Sequence, residues 1–140
     1  MTNPVNNIAV LGSTGSIGTN ALEVIEASEG RLFAIALSAH SRLDQLLEQA
    51  KRYKPRWIVA TNETAARRFD WSDLPPDTEL VTGQQGLESV VSAKEVDIVL
   101  AAIVGSAGLR STWAALESGK TVALANKEAL VTAGSLLTQL

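Results

Sequence analysis

The chain has 140 residues, enough for one domain with a substantial core and too few for two comfortable ones. Hydrophobic residues make up 46% and charged residues 19%, and the formal net charge of -3 argues against a nucleic acid or an anionic membrane surface as the main partner. Cysteine is absent, which excludes a disulfide scaffold and a thiolate metal site.

The hydropathy pattern indicates neither a membrane span nor a secretory signal. The longest apolar run, residues 98–104, is far below the roughly 20 residues that a bilayer requires. The N-terminus, "MTNPVNNIAV", lacks a basic region followed by a long apolar one. We therefore expect a cytoplasmic protein.

The first half of the chain alternates β-rich runs with helical patterns. A first strand is predicted at residues 8–11, and the helix after it has apolar residues at helical spacing, Ile17, Ala21, Leu22 and Ile25. A second strand at residues 33–37 precedes a helix with one apolar face, formed by Leu43, Leu46, Leu47, Ala50 and Tyr53. A third strand at residues 57–60 is followed by a helix around residues 63–69.

The second half continues the alternation. Strands are predicted at residues 79–82, 98–102 and 121–124, and helices at residues 87–92 and 108–118. Gly119 is a suitable C-terminal cap for the last of these helices. Repeated strand–helix–strand units favour a parallel sheet, so the predicted fold is a doubly wound, Rossmann-like α/β domain with a mostly parallel sheet.

The segment "GSTGSIG" places Gly12, Gly15 and Gly18 directly between the first strand and the first helix. Such a loop allows a tight turn, lets backbone approach a pyrophosphate, and presents a helix N-terminus that favours anions. Thr14 and Ser16 add hydroxyl groups where phosphate oxygens would lie. A merely flexible turn is the alternative, but the strand–loop–helix context favours dinucleotide binding.

The end of the second strand indicates which dinucleotide is bound. NAD-binding domains usually have a carboxylate there for the ribose 2′-hydroxyl. In "LSAHSRLD", His40, Ser41 and Arg42 come before the first carboxylate, Asp44. A guanidinium suits a 2′-phosphate, so NADP is favoured over NAD. Alternatively, Ser41 caps the next helix and Arg42 is a solvated first-turn residue. The single histidine is interpreted as a cofactor contact or as a residue without a functional role.

A polar trio, Asn126, Lys127 and Glu128, follows the last predicted strand. Ligands of doubly wound sheets bind beyond the carboxyl ends of the strands, where the small residues of the segment 101–109 would also lie. The trio is therefore a candidate site. Asn126 could instead cap a final helix, with Lys127 and Glu128 as surface charges of its first turn.

Three segments in this order, "GSTGSIG", "AAIVGSAGL" and "LANKEALVTAG", resemble the 1-deoxy-D-xylulose 5-phosphate reductoisomerase family. The resemblance extends from about Asn7 to the C-terminus, and the segment around "ANKE" is its most specific part. It implies an NADPH-dependent enzyme of non-mevalonate isoprenoid biosynthesis that converts 1-deoxy-D-xylulose 5-phosphate to 2-C-methyl-D-erythritol 4-phosphate. It also implies a divalent metal, magnesium or manganese.

The resemblance assigns roles to individual residues. The pyrophosphate loop would comprise Thr14, Gly15, Ser16 and Ile17. His40, Ser41 and Arg42 align with the 2′-phosphate segment, which is similar to Gly-Lys-Asn in some members, so that the basic residue has moved by one position here. Asn126 and Glu128 would contact the cofactor, and Lys127 the sugar-phosphate substrate.

The resemblance also implies what lies outside this chain. The family's metal ligands and substrate-phosphate ligands follow the "NKE" segment, so residues 1–140 are expected to be the N-terminal NADPH-binding domain of a longer, homodimeric enzyme and to be inactive alone. Two alternatives remain at this point: the cofactor domain of another NADP-dependent reductase, such as a semialdehyde dehydrogenase, and a non-enzymatic nucleotide-binding module.

Overall fold

The computed structural model of the chain describes residues 5–103 and 106–124. These residues form alternating strands and helices: β1 Asn6–Leu11, α1 Ser16–Glu26, β2 Leu32–Ala39, α2 Leu43–Tyr53, β3 Trp57–Ala60, α3 Glu63–Arg68, β4 Glu79–Thr82, α4 Gly83–Val91, β5 Ile98–Ala101, α5 Ser106–Glu117 and β6 Thr121–Leu124. The predicted alternation is confirmed.

The described strands form one sheet in the order β4-β3-β2-β1-β5-β6, and every pairing in it is parallel. Strands β1 to β4 lie side by side in chain order, and β5 then pairs with the other side of β1. A topological switch point therefore lies between β1 and β5, where doubly wound sheets bind ligands. The Rossmann-like fold is confirmed.

Helices cover both faces of the sheet. On one face, β-strand residues pack with Leu87 and Val91 of α4 and Ala115 of α5. On the other face, the core includes Leu22 of α1 and Leu46 of α2. Both faces of the sheet are thus buried, which explains the near-continuous apolar runs of its strands.

Two sequence predictions need correction. Helix α4 begins at Gly83, four residues before the predicted start, because Gly83 adopts φ +81 and turns the chain into the helix directly after β4. The helical spacing predicts Ile17 on the apolar face of α1, but its side chain is 41% exposed. The buried face of α1 is formed by Gly18, Leu22 and Ile25.

The cap after α5 is confirmed. Gly119 has φ +77, and its N–H donates to the Leu116 carbonyl oxygen at 3.0 Å. The next amide, of Lys120, donates to the Ala115 carbonyl oxygen at 3.0 Å, which completes a Schellman motif. No helix in the described ranges is long and apolar enough to cross a membrane.

Candidate functional site

The glycine loop between β1 and α1 is held by side chains of neighbouring elements. The Gly12 N–H donates to Ser38 Oγ at 3.0 Å, and the Ser13 N–H donates to the Ser38 carbonyl oxygen at 2.9 Å. From α2, Gln49 accepts from Ser13 Oγ at 2.7 Å and donates its amide to the Ser13 carbonyl oxygen at 2.9 Å. These bonds fix the loop before any ligand arrives.

Gly12 brings the loop close to the chain that follows β5. Its φ is +79, and a Cβ there would lie 2.9 Å from the Ala102 carbonyl oxygen. Only glycine satisfies both the backbone conformation and this approach. The loop and residues 102–103 therefore face each other at the switch point.

Gly18 lets α1 approach the loop. A Cβ at Gly18 would contact the Gly12 carbonyl oxygen and lie 2.6 Å from Ser13 Cα, and both are backbone atoms. We expect Gly18→Ala to destabilise the protein by about 1–3 kcal/mol, the usual cost of overpacking. Denaturant unfolding of the variant measures this loss.

Gly15→Ala is the matched control for that experiment. Gly15 has φ -76 and ψ 171, and a Cβ there would lie 3.6 Å from the Gly12 carbonyl oxygen, an ordinary contact. Its free energy of unfolding should change by less than about 0.5 kcal/mol. Equal unfolding midpoints for both variants would contradict the packing role of Gly18.

The start of α1 presents unpaired amides. Gly15 is the N-cap and offers no side chain to bond them, and the first intrahelical bond is Thr19 N–H to the Gly15 carbonyl oxygen at 2.8 Å. The N–H groups of residues 16–18 therefore have no helical partner. Together with the helix dipole and the absence of an acidic residue in the first turn, they favour an anion.

A cleft of about 450 Å³ opens beside this helix start. It is lined by the glycine loop, the strand ends and α4, through Gly12, Thr14, Gly15, Ser38, Ala39, His40, Thr61, Gln84, Ala102 and Ile103. Its volume lies in the range of small-molecule sites, and it occupies the switch point of the sheet.

The chain leaving β2 turns into α2 at this cleft. His40 Nδ1 lies 2.9 Å from Thr61 Oγ1, and the ring is exposed. Helix α2 begins at Leu43 with Arg42 as its N-cap residue, and no side chain caps it. The alternative in which Ser41 caps α2 is therefore wrong, because the helix starts one residue too late for its side chain to take that position.

A second cavity of about 520 Å³ lies between α2 and α3. Ser41 lines it together with Arg68 of α3, and Asp44 contributes a carboxylate. Arg42 and Arg68 are exposed, and neither guanidinium group makes an ion pair or hydrogen bond within the ranges that the structure describes. Two guanidinium groups thus remain available near the end of β2.

The structure brings together only part of the predicted site. Thr14, Gly15 and His40 line the cleft, whereas Ser16 and Ile17 are exposed in the first turn of α1. The remaining candidates, Asn126, Lys127 and Glu128, lie outside the described residues. Their assignment stays a prediction.

Sequence reasoning missed three polar residues of this region. Gln49 holds the loop, and Thr61 and Gln84 line the cleft. These three come from elements whose positions follow only from the strand order. Ser38, which the sequence places at the end of β2, also holds the loop.

A metal site is not assembled in the part of the chain that the structure describes. Within residues 5–103 and 106–124, no three His, Asp or Glu side chains lie close enough together to hold a metal ion. The polar groups that line the cleft belong to the backbone, to hydroxyl side chains, to the Gln84 carboxamide and to the His40 imidazole.

Comparison with known proteins agrees with the resemblance seen in the sequence. The family model for 1-deoxy-D-xylulose 5-phosphate reductoisomerase matches residues 8–134. The reductoisomerase of Anaeromyxobacter sp. (strain K) is 47% identical over 133 residues, which cover 95% of this chain and 34% of that protein. A Pseudomonas putida reductoisomerase is 50% identical over 131 residues, covering 92% of this chain and 33% of the relative.

Solved structures show the same likeness. A DOX-P reductoisomerase in complex with NADPH, fosmidomycin and magnesium has a TM-score of 0.78 and 40% identity, covering 96% of this chain and 33% of the other. The Zymomonas mobilis reductoisomerase in complex with NADPH has a TM-score of 0.77 and 36% identity, covering 97% and 36%. This chain spans about a third of the length of the curated relatives it matches.

Proposed function

The chain belongs to the 1-deoxy-D-xylulose 5-phosphate reductoisomerase family, and on that basis we propose that it is the NADPH-binding domain of such an enzyme. The enzyme converts 1-deoxy-D-xylulose 5-phosphate to 2-C-methyl-D-erythritol 4-phosphate, and NADPH supplies the hydride for the reduction. The matches to reductoisomerases favour this proposal over a semialdehyde dehydrogenase or a nucleotide-binding module without activity.

The cleft at the switch point is the main support for the proposal. The cleft brings together the unpaired amides of α1, the place where Gly12 lies close to Ala102, and the end of β2. In a bound dinucleotide the amides would contact the pyrophosphate, and the end of β2 would contact the adenosine ribose. The close contact between Gly12 and Ala102 would let the dinucleotide cross the sheet near the backbone. The cofactor would therefore lie across the carboxyl ends of β1, β2 and β5.

The glycine loop would bind the pyrophosphate through its backbone. The N–H groups of Ser16, Ile17 and Gly18 would donate to phosphate oxygens, and the Thr14 hydroxyl would lie close enough to add a bond. Ser38 and Gln49 would keep these donors in place, so that little ordering is needed on binding.

The residues after β2 would select the 2′-phosphate. Between the end of β2 and Asp44 there is no carboxylate. The residues there, His40, Ser41 and Arg42, offer an imidazole, a hydroxyl and a guanidinium. Arg can bind a phosphate through paired N–H groups. An acidic residue at this position would instead repel the phosphate and favour NAD.

The substrate would meet the cofactor at the "NKE" segment. We assign cofactor contacts to Asn126 and Glu128 and a contact with the sugar phosphate to Lys127, as the family resemblance implies. Residues 1–140 would form the N-terminal domain of a cytoplasmic homodimer. The magnesium reported in complexes of relatives would be bound by residues beyond this domain.

The proposal predicts that NADPH binds more tightly than NADH, because only NADPH offers the 2′-phosphate. Arg42→Ala should weaken NADPH binding by about 1.5–3 kcal/mol, the value of hydrogen bonds to a charged group. NADH binding should be nearly unchanged. Calorimetric titration of both cofactors measures the two affinities.

Arg31→Ala is the matched control, because it removes the same charge from the opposite edge of the sheet, directly before β2. This variant should keep the wild-type preference. Equal affinities of the wild-type protein for NADPH and NADH would contradict the assignment of NADPH as the preferred cofactor.

A further inference from the structure

Helix α5 presents an exposed apolar surface. Leu109, Trp113 and Leu116 are 69%, 63% and 50% exposed, respectively. Their spacing of i, i+4 and i+7 places the three side chains on one side of the helix, and we call this surface the α5 stripe. A contiguous apolar surface on a helix normally packs against another element, so the α5 stripe is a candidate docking surface.

The α5 stripe lies on the flank of α5 that points away from α4. On the α4 side, Gln84 donates its amide N–H to Ser111 Oγ at 3.0 Å, and on the sheet side Ala115 is fully buried. At 3.6 residues per turn, the stripe residues lie about 140–160° around the helix from Ser111. Since α4 packs on β3 and β4, the exposed flank is on the β6 side of α5.

The sheet topology indicates where the chain goes after β6. From β1 the sheet grows in one direction, to β5 and then to β6, and α5 connects these two strands on the face that also carries α4. Crossovers between parallel strands are right-handed in nearly all cases. A helix that follows β6 and leads to a further parallel strand outside it therefore lies on the same face, beside α5 and away from α4. That is the flank on which the α5 stripe is exposed.

The sequence after β6 has the pattern of such a helix. Residues 127–140 lie outside the described ranges, but their sequence has one apolar side at helical spacing, formed by Ala129, Leu130, Ala133, Leu136, Leu137 and Leu140. The remaining positions are mainly small or polar, with Val131 as the one large apolar residue among them. An amphipathic helix of this kind gains most of its stability by burying its apolar side against a partner.

We propose that residues 127–140 form a helix that packs its apolar side on the α5 stripe. Both helices start at the carboxyl ends of adjacent parallel strands, so they run parallel with their first turns level. Leu130 then lies level with Leu109, and Leu137 lies level with Leu116, because each pair has the same sequence separation as the two helix starts.

The same register gives Trp113 small partners. The position level with Trp113 falls at Gly134, next to Ala133, so the bulkiest side chain of the α5 stripe meets the smallest residues of the segment. The docked helix also begins at the polar trio of residues 126–128. Its packing on α5 therefore holds these three side chains at the carboxyl end of β6.

Amide hydrogen exchange of residues 127–140 in the full-length protein, measured without cofactor, tests the docking. We expect slow exchange in the wild-type protein and exchange faster by about tenfold or more in Trp113→Asp, because a charge in the apolar contact disrupts it. Val24→Asp is the matched control. Val24 is 62% exposed on α1, which packs on the opposite face of the sheet, and this variant should leave the segment protected.

Two variants of the segment itself distinguish its two sides. Leu137→Asp should release the segment as Trp113→Asp does, whereas Thr138→Asp places the same charge on the polar side and should leave exchange unchanged. Far-UV circular dichroism shows whether each variant is folded. If Trp113→Asp fails to fold, Trp113→Ala tests the same contact with a smaller increase in exchange.

Three results would overturn the docking. One is fast exchange of residues 127–140 in the wild-type protein, and another is equal exchange in the wild-type protein and a folded Trp113 variant. The third is a Trp113→Asp protein that changes from dimer to monomer in size-exclusion chromatography while the segment stays protected, which would assign the α5 stripe to a second copy of the protein. None of these measurements involves NADPH, so their failure is distinct from failure of the proposed function.

Discussion

Replacing Gly15 by valine is expected to abolish NADPH binding while leaving the fold intact. Gly15 has extended backbone, φ -76 and ψ 171, which valine adopts without strain. A Cβ there would meet only the Gly12 carbonyl oxygen, at 3.6 Å. The added methyl groups would instead occupy the exposed space in front of the α1 amides, where the pyrophosphate must lie.

Calorimetry with NADPH measures the loss, and far-UV circular dichroism shows whether the variant is folded. Gly15→Ala provides a graded control, since its single methyl group should weaken binding less than valine does. An unfolded Gly15→Val protein would make Gly15 a structural residue. Normal NADPH affinity in the folded variant would place the pyrophosphate elsewhere.

The second large effect concerns Lys127 in the full-length enzyme. If its ammonium group holds oxygens of the sugar phosphate and stabilises negative charge during the rearrangement, Lys127→Ala should lower kcat/KM by roughly a hundredfold or more. NADPH affinity should barely change, because Asn126 and Glu128 make the cofactor contacts in this assignment. Steady-state kinetics and NADPH titration on the same variant measure the two effects.

Asn126→Ala is the complementary variant and should weaken NADPH binding. If Lys127 is only a solvated residue of a helix, Lys127→Ala should leave turnover unchanged and shift the free energy of unfolding by less than about 0.5 kcal/mol. Normal turnover, or a defect confined to NADPH binding, would show that the role of Lys127 is misassigned.

The sequence predicted the fold because its local signals agree with one another. Strands β3, β4 and β6 have the predicted bounds, since each is a short apolar run between clear helical or turn segments. The start of α4 was missed because "GQQG" has no apolar periodicity and two glycines, which disfavour a helix. The positive φ of Gly83, which starts that helix, is a property of the folded turn.

The residues of the site were harder to predict from the sequence than the fold, because several of them come from elements that meet only in the folded chain. The sequence directly identifies the glycine loop, but it does not show whether Gly15 is needed for its backbone conformation or for the space in front of it. The extended backbone at Gly15 excludes a conformational requirement. Thr61 and Gln84 belong to the site only because β3 lies beside β2 and because α4 packs against β3 and α5, a placement that no local pattern encodes.

Amide hydrogen exchange of the full-length protein, with and without NADPH, tests most directly whether the cofactor binds in this cleft. The N–H groups of residues 16–18 have no helical partner, so they should exchange fast in the free protein. We expect NADPH to slow exchange in residues 12–18 and 38–42. Protection confined to other parts of the protein, with these two segments unchanged, would contradict it.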